Sequence, residues 1–319
     1  MKAKKRALIS LFVLVPVLTG CREAVPLAQS RYESAPSAPG SGFDPDRRTY
    51  KDLPYVSGSH NRAQTLDLYL PPPGSRPCPL IIWIHGGAWL AGNKGECPPA
   101  LFLPEGFAAA SVNYRLSQEA AFPAQIHDCK AAVRFLRTSA GRFHIDPERI
   151  GVWGSSAGGH LAALLGTTGD RLEMEGDSGN LKASSRVQAV CDWCGPTDLV
   201  SAPKQCPPDN RMSFSGKSSP VYPFMGGAMD KHSLSIASPV TYVSASTPPF
   251  LIMHGDRDDI VPKAQSEELY GLLKKAGADV SLAIVQGGGH AFGGPSQFEA
   301  VLKFFKRTLA NKRSSTITK

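Results

Sequence analysis

The chain has 319 residues, 42% of them hydrophobic and 19% charged, a balance that fits a soluble globular protein and excludes a disordered or collagen-like one. Its formal net charge of +8 sits at the ends: without residues 1–20, 31 basic side chains face 27 acidic ones. Six of those basic residues (Lys303, Lys306, Arg307, Lys312, Arg313 and Lys319) crowd the C-terminal end, so the body is near neutral and nothing points to a nucleic-acid partner.

From the N-terminus, four basic residues within the first six precede an apolar run from Ala7 to Leu18. That pattern predicts a secretory signal over residues 1–20, too short and wrongly flanked for a spanning helix. Its ending, Leu18-Thr19-Gly20-Cys21, resembles the bacterial lipobox, which implies lipidation of Cys21 and a chain held at the cell envelope. The plainer alternative is simple secretion. Arg22, where inner-membrane retention is associated with Asp, leans toward the outer membrane. Residues 21–50, rich in Ser, Pro, Ala and Arg, read as a flexible tether.

From about residue 53 an alternating order begins. Strand-like runs fall at 66–70, 80–84, 108–113, 149–153, 187–191, 250–254 and 280–285. Helix-like segments fall at 123–139, 157–167, 262–275 and 297–309. Strands too apolar to face water predict a mostly parallel α/β sheet covered on both faces. The rhythm breaks at 195–247, where Pro, Ser and Gly are dense and only 231–236 looks helical. A stretch of that length within a domain is expected to act as a lid-like cover of the site. Residues 311–319 form a basic tail.

Two motifs carry chemistry. Gly154-Ser155-Ser156-Ala157-Gly158 lies between an apolar strand and a small-residue helix, the setting of a nucleophile elbow with Ser156 as the central residue. Ser155 takes the neighbouring position and points elsewhere. Upstream, the strand at 80–84 runs into His85-Gly86-Gly87-Ala88-Trp89, whose glycines let peptide N–H groups converge on one oxygen. The expected oxyanion donors are Gly87 or Ala88 together with Ala157. His85, Gly86, Trp89 and Ser155 are candidates for the substrate pocket, Trp89 either by packing near its mouth or by direct contact with substrate.

A serine hydroxyl needs a base, and the base needs an orienting acid. The strand at 250–254 ends in a loop bearing Asp256, Asp258 and Asp259. The strand at 280–285 ends in a glycine loop bearing His290. Both sit at strand C-termini, where open α/β sheets bind ligands. His85 and His254 end strands at positions suited to bracing loops. Six cysteines (Cys78, Cys97, Cys129, Cys191, Cys194 and Cys206) leave disulfides or buried thiols open. No ligand spacing suggests zinc.

Residues from about 50 to 310 resemble the α/β-hydrolase fold, in particular esterases with an HGGxW loop. Within these, the chain is similar to the BD-FAE-like group, named for a bifunctional feruloyl and acetylxylan esterase and including carbohydrate-esterase-type members. The resemblance rests on HGGAW, NYRL at 113–116, FPAQIHDCKAAVRFLR at 122–137, GSSAG, GPTDL at 195–199, HGDRDDIVP and GGGHAF. It implies one catalytic domain over 51–310, Asp258 as acid and His290 as base, with Asp198 of GPTDL as the rival acid. Tyr114, Arg115 and Asp128 are expected to make structural contacts beneath the site. It also implies a serine esterase acting on short acyl or hydroxycinnamoyl esters of carbohydrate, with no metal or organic cofactor. The same apparatus serves amidases of the kynurenine formamidase type and peptidases of the prolyl oligopeptidase type, the latter normally with a propeller domain. A non-catalytic envelope lipoprotein is the alternative outside enzymes.

Overall fold

Continuous apolar runs such as Leu80-Ile81-Ile82-Trp83-Ile84 are at home only in strands covered on both faces. The computed structural model, which describes residues 48–309, places this one at the centre of a single eight-stranded sheet. In chain order the strands are β1 (Thr49–Pro54), β2 (Thr65–Tyr69), β3 (Cys78–Ile84), β4 (Ala108–Val112), β5 (Ile145–Ser155), β6 (Ala189–Trp193), β7 (Phe250–Gly255) and β8 (Val280–Val285). Their spatial order is β1-β2-β4-β3-β5-β6-β7-β8. The pairings β1·β2 and β2·β4 are antiparallel; the others are parallel.

The helices are α1 (Ala124–Thr138), α2 (Ala140–Phe143), α3 (Ala157–Thr167), α4 (Ala202–Gln205), α5 (Val221–Phe224), α6 (Lys231–Ile236), α7 (Ala264–Lys275) and α8 (Pro295–Leu309). Alternation along β3 splits the core in two, because successive side chains leave a strand on opposite faces. Leu80, Ile82 and Ile84 pack with residues of α1, α3 and α7, including Val133, Leu161 and Leu269. Ile81 and Trp83 pack under α8, whose Val301, Phe304, Phe305 and Leu309 recur at helical spacing. The predicted fold, helices on both faces of a mostly parallel sheet, is the one observed.

Three expectations need correction. The tether was placed up to residue 50, but β1 starts at Thr49, and Tyr50 is buried against Phe143 with ring centroids 5.0 Å apart. β5 starts at Ile145, because the Asp146-Pro147-Glu148 turn is absorbed as a register shift against β3. The stretch 195–247 is less a lid than a packed excursion. It carries α4, α5 and α6, and it buries Phe214, Val221, Phe224 and Leu234 in the main core. Helices of four residues, with Pro inside α4 and α5, are too short to give a periodic signal. The predicted signal, Cys21, the tether up to residue 47 and the basic tail lie outside the described residues.

His160 of α3 fastens this excursion to the sheet. Its Nε2–H donates to Ala237 O at 2.7 Å, and its Nδ1 accepts from Trp89 Nε1 at 3.3 Å. Complete burial holds its pKa down to about 4. The unfolded chain therefore takes up a proton below about pH 6.5 that the folded chain refuses until about pH 4, so this contribution to stability is complete above pH 6.5 and lost as pH falls. Asp192, pushed up to about 6 by burial, titrates in the opposite sense over part of that range. Comparison with His160→Gln isolates the histidine. In urea unfolding, the stability advantage of wild type over the variant is expected to shrink by roughly 2 kcal/mol between pH 7 and pH 5. An advantage independent of pH would show that the ring is not held neutral.

Candidate active site

Between β5 and α3 the chain reverses within one residue. Ser156 has φ 57° and ψ −123°, a strained conformation for a residue with a side chain. Its N–H donates to Trp193 O at 2.8 Å, tying the turn to β6. The approach of α3 to the sheet is so close that a Cβ on Gly158 would lie 2.0 Å from Ile84 O and 2.6 Å from His85 O. Glycine is obligatory there. The result is a hydroxyl raised at the carboxyl edge of the sheet, beside the first turn of α3, whose unpaired N–H groups favour negative charge.

The glycine loop after β8 brings His290 to that hydroxyl: Nε2 lies 2.9 Å from Ser156 Oγ, and Nδ1 lies 2.8 Å from Asp258 Oδ2. Asp258 is fastened by other donors. Its Oδ1 accepts from the N–H groups of Ile260 and Val261, each at 2.9 Å, and His254 Nε2 stands 3.1 Å from Oδ2. Burial opposes ionisation of this carboxyl, but hydrogen bonds from His254, His290 and Ile260 outweigh it and hold the pKa well below the usual carboxylate range. The three side chains chosen from the sequence thus meet in one hydrogen-bonded line.

The rival acid does not reach it. Asp198 accepts from Val200 N–H at 2.9 Å and braces its own turn. Asp256 accepts from Gly287 N–H at 2.7 Å, and Asp259 pairs with Arg211 at 2.7 Å, so both hold loops. Arg115 and Asp128 form a two-pronged pair beneath the site, and Tyr114 donates to His85 O at 3.1 Å while stacking on its ring. The six cysteines among the described residues are free thiols. Cys194, Asp258 and His290 place ligand-type atoms within 4.8 Å of one another. Asp258 and His290 are already committed to each other, and burial pushes the Cys194 thiol well above its ordinary pKa, so these donors suit the triad better than a metal.

The HGGAW loop crosses in front of Ser156. Gly87, at φ 108°, would carry a Cβ 2.2 Å from Ala91 O, and Ala88 and Trp89 follow at φ 54° and 59°. These left-handed turns leave the N–H groups of Gly87 and Ala88 without an acceptor among the described residues. Gly86, Gly87, Ala88, His85 and Ser155 line a cleft of about 770 Å³ around Ser156 and His290. Ala157 is buried at the start of α3.

Trp89 is a correction. Expected at the pocket, it turns inward, 1% exposed, with its ring stacked on Phe224 at 4.3 Å and its N–H spent on His160. Conversely, Trp83, Trp193 and Phe292 form an aromatic wall of the cleft, with Asn93, Glu96 and Met212 around it. Sequence reasoning missed them. Trp83 and Trp193 lie inside apolar strands and look like core, while Asn93, Glu96 and Met212 lie in loops without a motif. Met212 is the cleft residue that the 195–247 excursion contributes.

Comparison with known proteins agrees with this fold. The BD-FAE family model matches residues 66–273. The esterase LipQ of Mycobacterium tuberculosis is 32% identical over 263 residues, covering 76% of this chain and 61% of its own length. The chain spans 54% of each of the next two curated relatives. Among solved structures, a truncated carbohydrate esterase from gut microbiota is 34% identical with a TM-score of 0.75, covering 85% of this chain and all of its own. An acetyl ester-xyloside bifunctional hydrolase from Caldicellulosiruptor lactoaceticus is 28% identical with a TM-score of 0.65, covering 81% of this chain and 93% of its own. With its elbow, glycine loop and eight-stranded sheet, the chain belongs to the BD-FAE family of the α/β-hydrolase fold.

Proposed function

We propose that the protein is a serine carboxylic-ester hydrolase working through an acyl-enzyme. The observation that carries this reading is the pair of hydrogen bonds, 2.9 Å and 2.8 Å, running from Ser156 through His290 to Asp258. Ser156 Oγ attacks the ester carbonyl as His290 Nε2 takes its proton. Asp258 holds the ring in the Nδ1–H tautomer and stabilises the imidazolium that forms. The carbonyl oxygen, gaining negative charge, is received by the N–H of Gly87 or Ala88 and that of Ala157, each such donor being worth about 3 kcal/mol in the transition state. The imidazolium then protonates the departing alcohol, and water activated by the same ring releases the acid.

For substrate, the reading is a short acyl or hydroxycinnamoyl ester of a carbohydrate. Two things support it: the names of the carbohydrate-active relatives above, and a broad cleft that sets aromatic faces beside Asn93 and Glu96, a mixture suited to sugar rings and hydroxyls. For location, the reading is a lipoprotein of the bacterial envelope, anchored at Cys21.

Ser156→Ala is expected to reduce kcat on p-nitrophenyl acetate by at least about 10⁴-fold, and Asp258→Asn by about as much, with folding unchanged by circular dichroism. Undiminished turnover by the Ser156 variant would remove the nucleophile. On a panel of acetylated xylan, methyl ferulate and N-formylkynurenine, kcat/KM should favour the esters; preference for the formamide would turn the reading to an amidase. Fractionation of cells should find the wild type with membranes and Cys21→Ser in the soluble exported fraction. Identical distribution of the two would overturn the anchor.

A further inference from the structure

We propose that His254 is a positioning residue for this reaction, holding Asp258 toward His290 through an N–H shared between Val261 O and the same carboxylate oxygen. The inference rests on the triad reading above. His254 occupies the penultimate position of β7 and is fully buried. Its Nε2 lies 2.9 Å from Val261 O and 3.1 Å from Asp258 Oδ2. Its Nδ1 lies 2.7 Å from Ser266 Oγ, on α7.

These contacts fix the ring's proton. A carbonyl oxygen only accepts, so Nε2 must carry the hydrogen that faces Val261 O and Asp258. In the neutral ring Nδ1 is then an acceptor, and the Ser266 hydroxyl donates to it. A chain of donors therefore runs from Ser266 to His254 to Asp258, meeting there the chain from His290. The carboxylate receives three N–H groups in hydrogen-bond geometry, Ile260 and Val261 on Oδ1 and His290 on Oδ2, while the His254 N–H, bonded to Val261 O, also faces Oδ2 at 3.1 Å. The other titratable groups around His254 and Asp258 are Asp192 on β6, which is fully buried, and the Cys194 thiol just beyond it.

The consequence is mechanical as well as electrostatic. Without the His254 N–H, Oδ2 keeps His290 as its one donor, and the carboxylate can pivot about the Oδ1 that Ile260 and Val261 hold as the imidazole gains and loses its proton. A tilted carboxylate orients the ring less well and stabilises the imidazolium less, so both kcat and the proton affinity of His290 should fall. Substrate affinity, set in the cleft, should not. His254 does not touch the reacting atoms; it acts through Asp258.

The test compares wild type, His254→Leu and His254→Gln on p-nitrophenyl acetate across pH, with Tm measured for each. Leu removes the donor at similar bulk; Gln carries an amide N–H as far from the backbone as Nε2. Misplacement of a catalytic group by about 1 Å can cost about 100-fold, so His254→Leu is expected to lower kcat by roughly 10- to 100-fold, with KM changed by less than about twofold. Its acid limb in kcat/KM should move to lower pH by at least about 0.5 unit, and His254→Gln should recover both. If the Leu variant does not fold, His254→Asn, whose shorter amide falls short of Oδ2, takes its place with the same expectation. A lowered Tm with kcat and the acid limb unmoved would reduce His254 to a structural residue. An acid limb moved upward would mean that it competes with His290 for the carboxylate, and either result overturns the proposal. Absence of ester hydrolysis by the wild type would instead overturn the reading beneath it.

Discussion

The site depends on one backbone contact, the seating of Gly158 against the carbonyls of Ile84 and His85. That contact brings the start of α3 down onto the end of β3, and both chemical motifs grow from it. On one side β5 turns through the strained Ser156 into α3; on the other β3 leaves the sheet as the HGGAW loop. The two are so near that a Cβ on Gly86 would lie 3.2 Å from the Cβ of Ser156. A side chain at residue 158 would part the Ser156 hydroxyl from the peptide groups that face it, without touching Ser156, His290 or Asp258.

Charge at the site is managed by contrast. Asp258 is buried, yet it stays ionised because donors surround it. Two groups near it are held neutral, the Cys194 thiol pushed well up by burial and the His160 imidazole held down to about 4, whereas the Asp192 carboxyl, pushed up to about 6 by burial, still ionises near pH 7. Asp258 is the carboxylate in direct contact with His290, at 2.8 Å, and an interior of low polarity screens its charge weakly. The 21% exposure of the His290 side chain gives that imidazole its access to the cleft, while Asp258 and His254 are sealed off.

Much of this was legible in the sequence for a physical reason. Where the backbone must do something unusual, few residues can serve, and the requirement shows as a motif: glycines around Ser156, glycines after β3, and an acid and a histidine each just past a strand end. The cleft walls lack that constraint. Trp83 and Trp193 sit in apolar strands where any large hydrophobic residue would read alike, and only the strand ends decide that they border a cavity. Trp89 failed in the opposite sense. It belongs to a motif that points at the site, but the left-handed turn at φ 59° directs its ring inward to Phe224 and His160.

The strand that sequence reasoning missed bears on the cleft. Asn93 and Glu96 lie on the wall loop, and that loop is fastened from behind rather than by its neighbours in sequence. Lys94 Nζ reaches Asp67 of β2 at 2.6 Å and Asp52 of β1 at 2.8 Å, and Lys51 of β1 completes the group with Asp67 at 2.8 Å. Lys94 N–H donates to Asn113 at 2.7 Å, and Ser111 of β4 donates to Glu96 O at 2.6 Å. With Lys94 and Asp67 largely buried, these pairs are shielded from solvent more than ordinary surface bridges. β1 therefore does more than close the sheet. Its bulge, with Asp52 at φ 54°, puts Lys51 and Asp52 beside Asp67 and Lys94, and so the edge strand at the start of the domain helps fix this wall of the cleft.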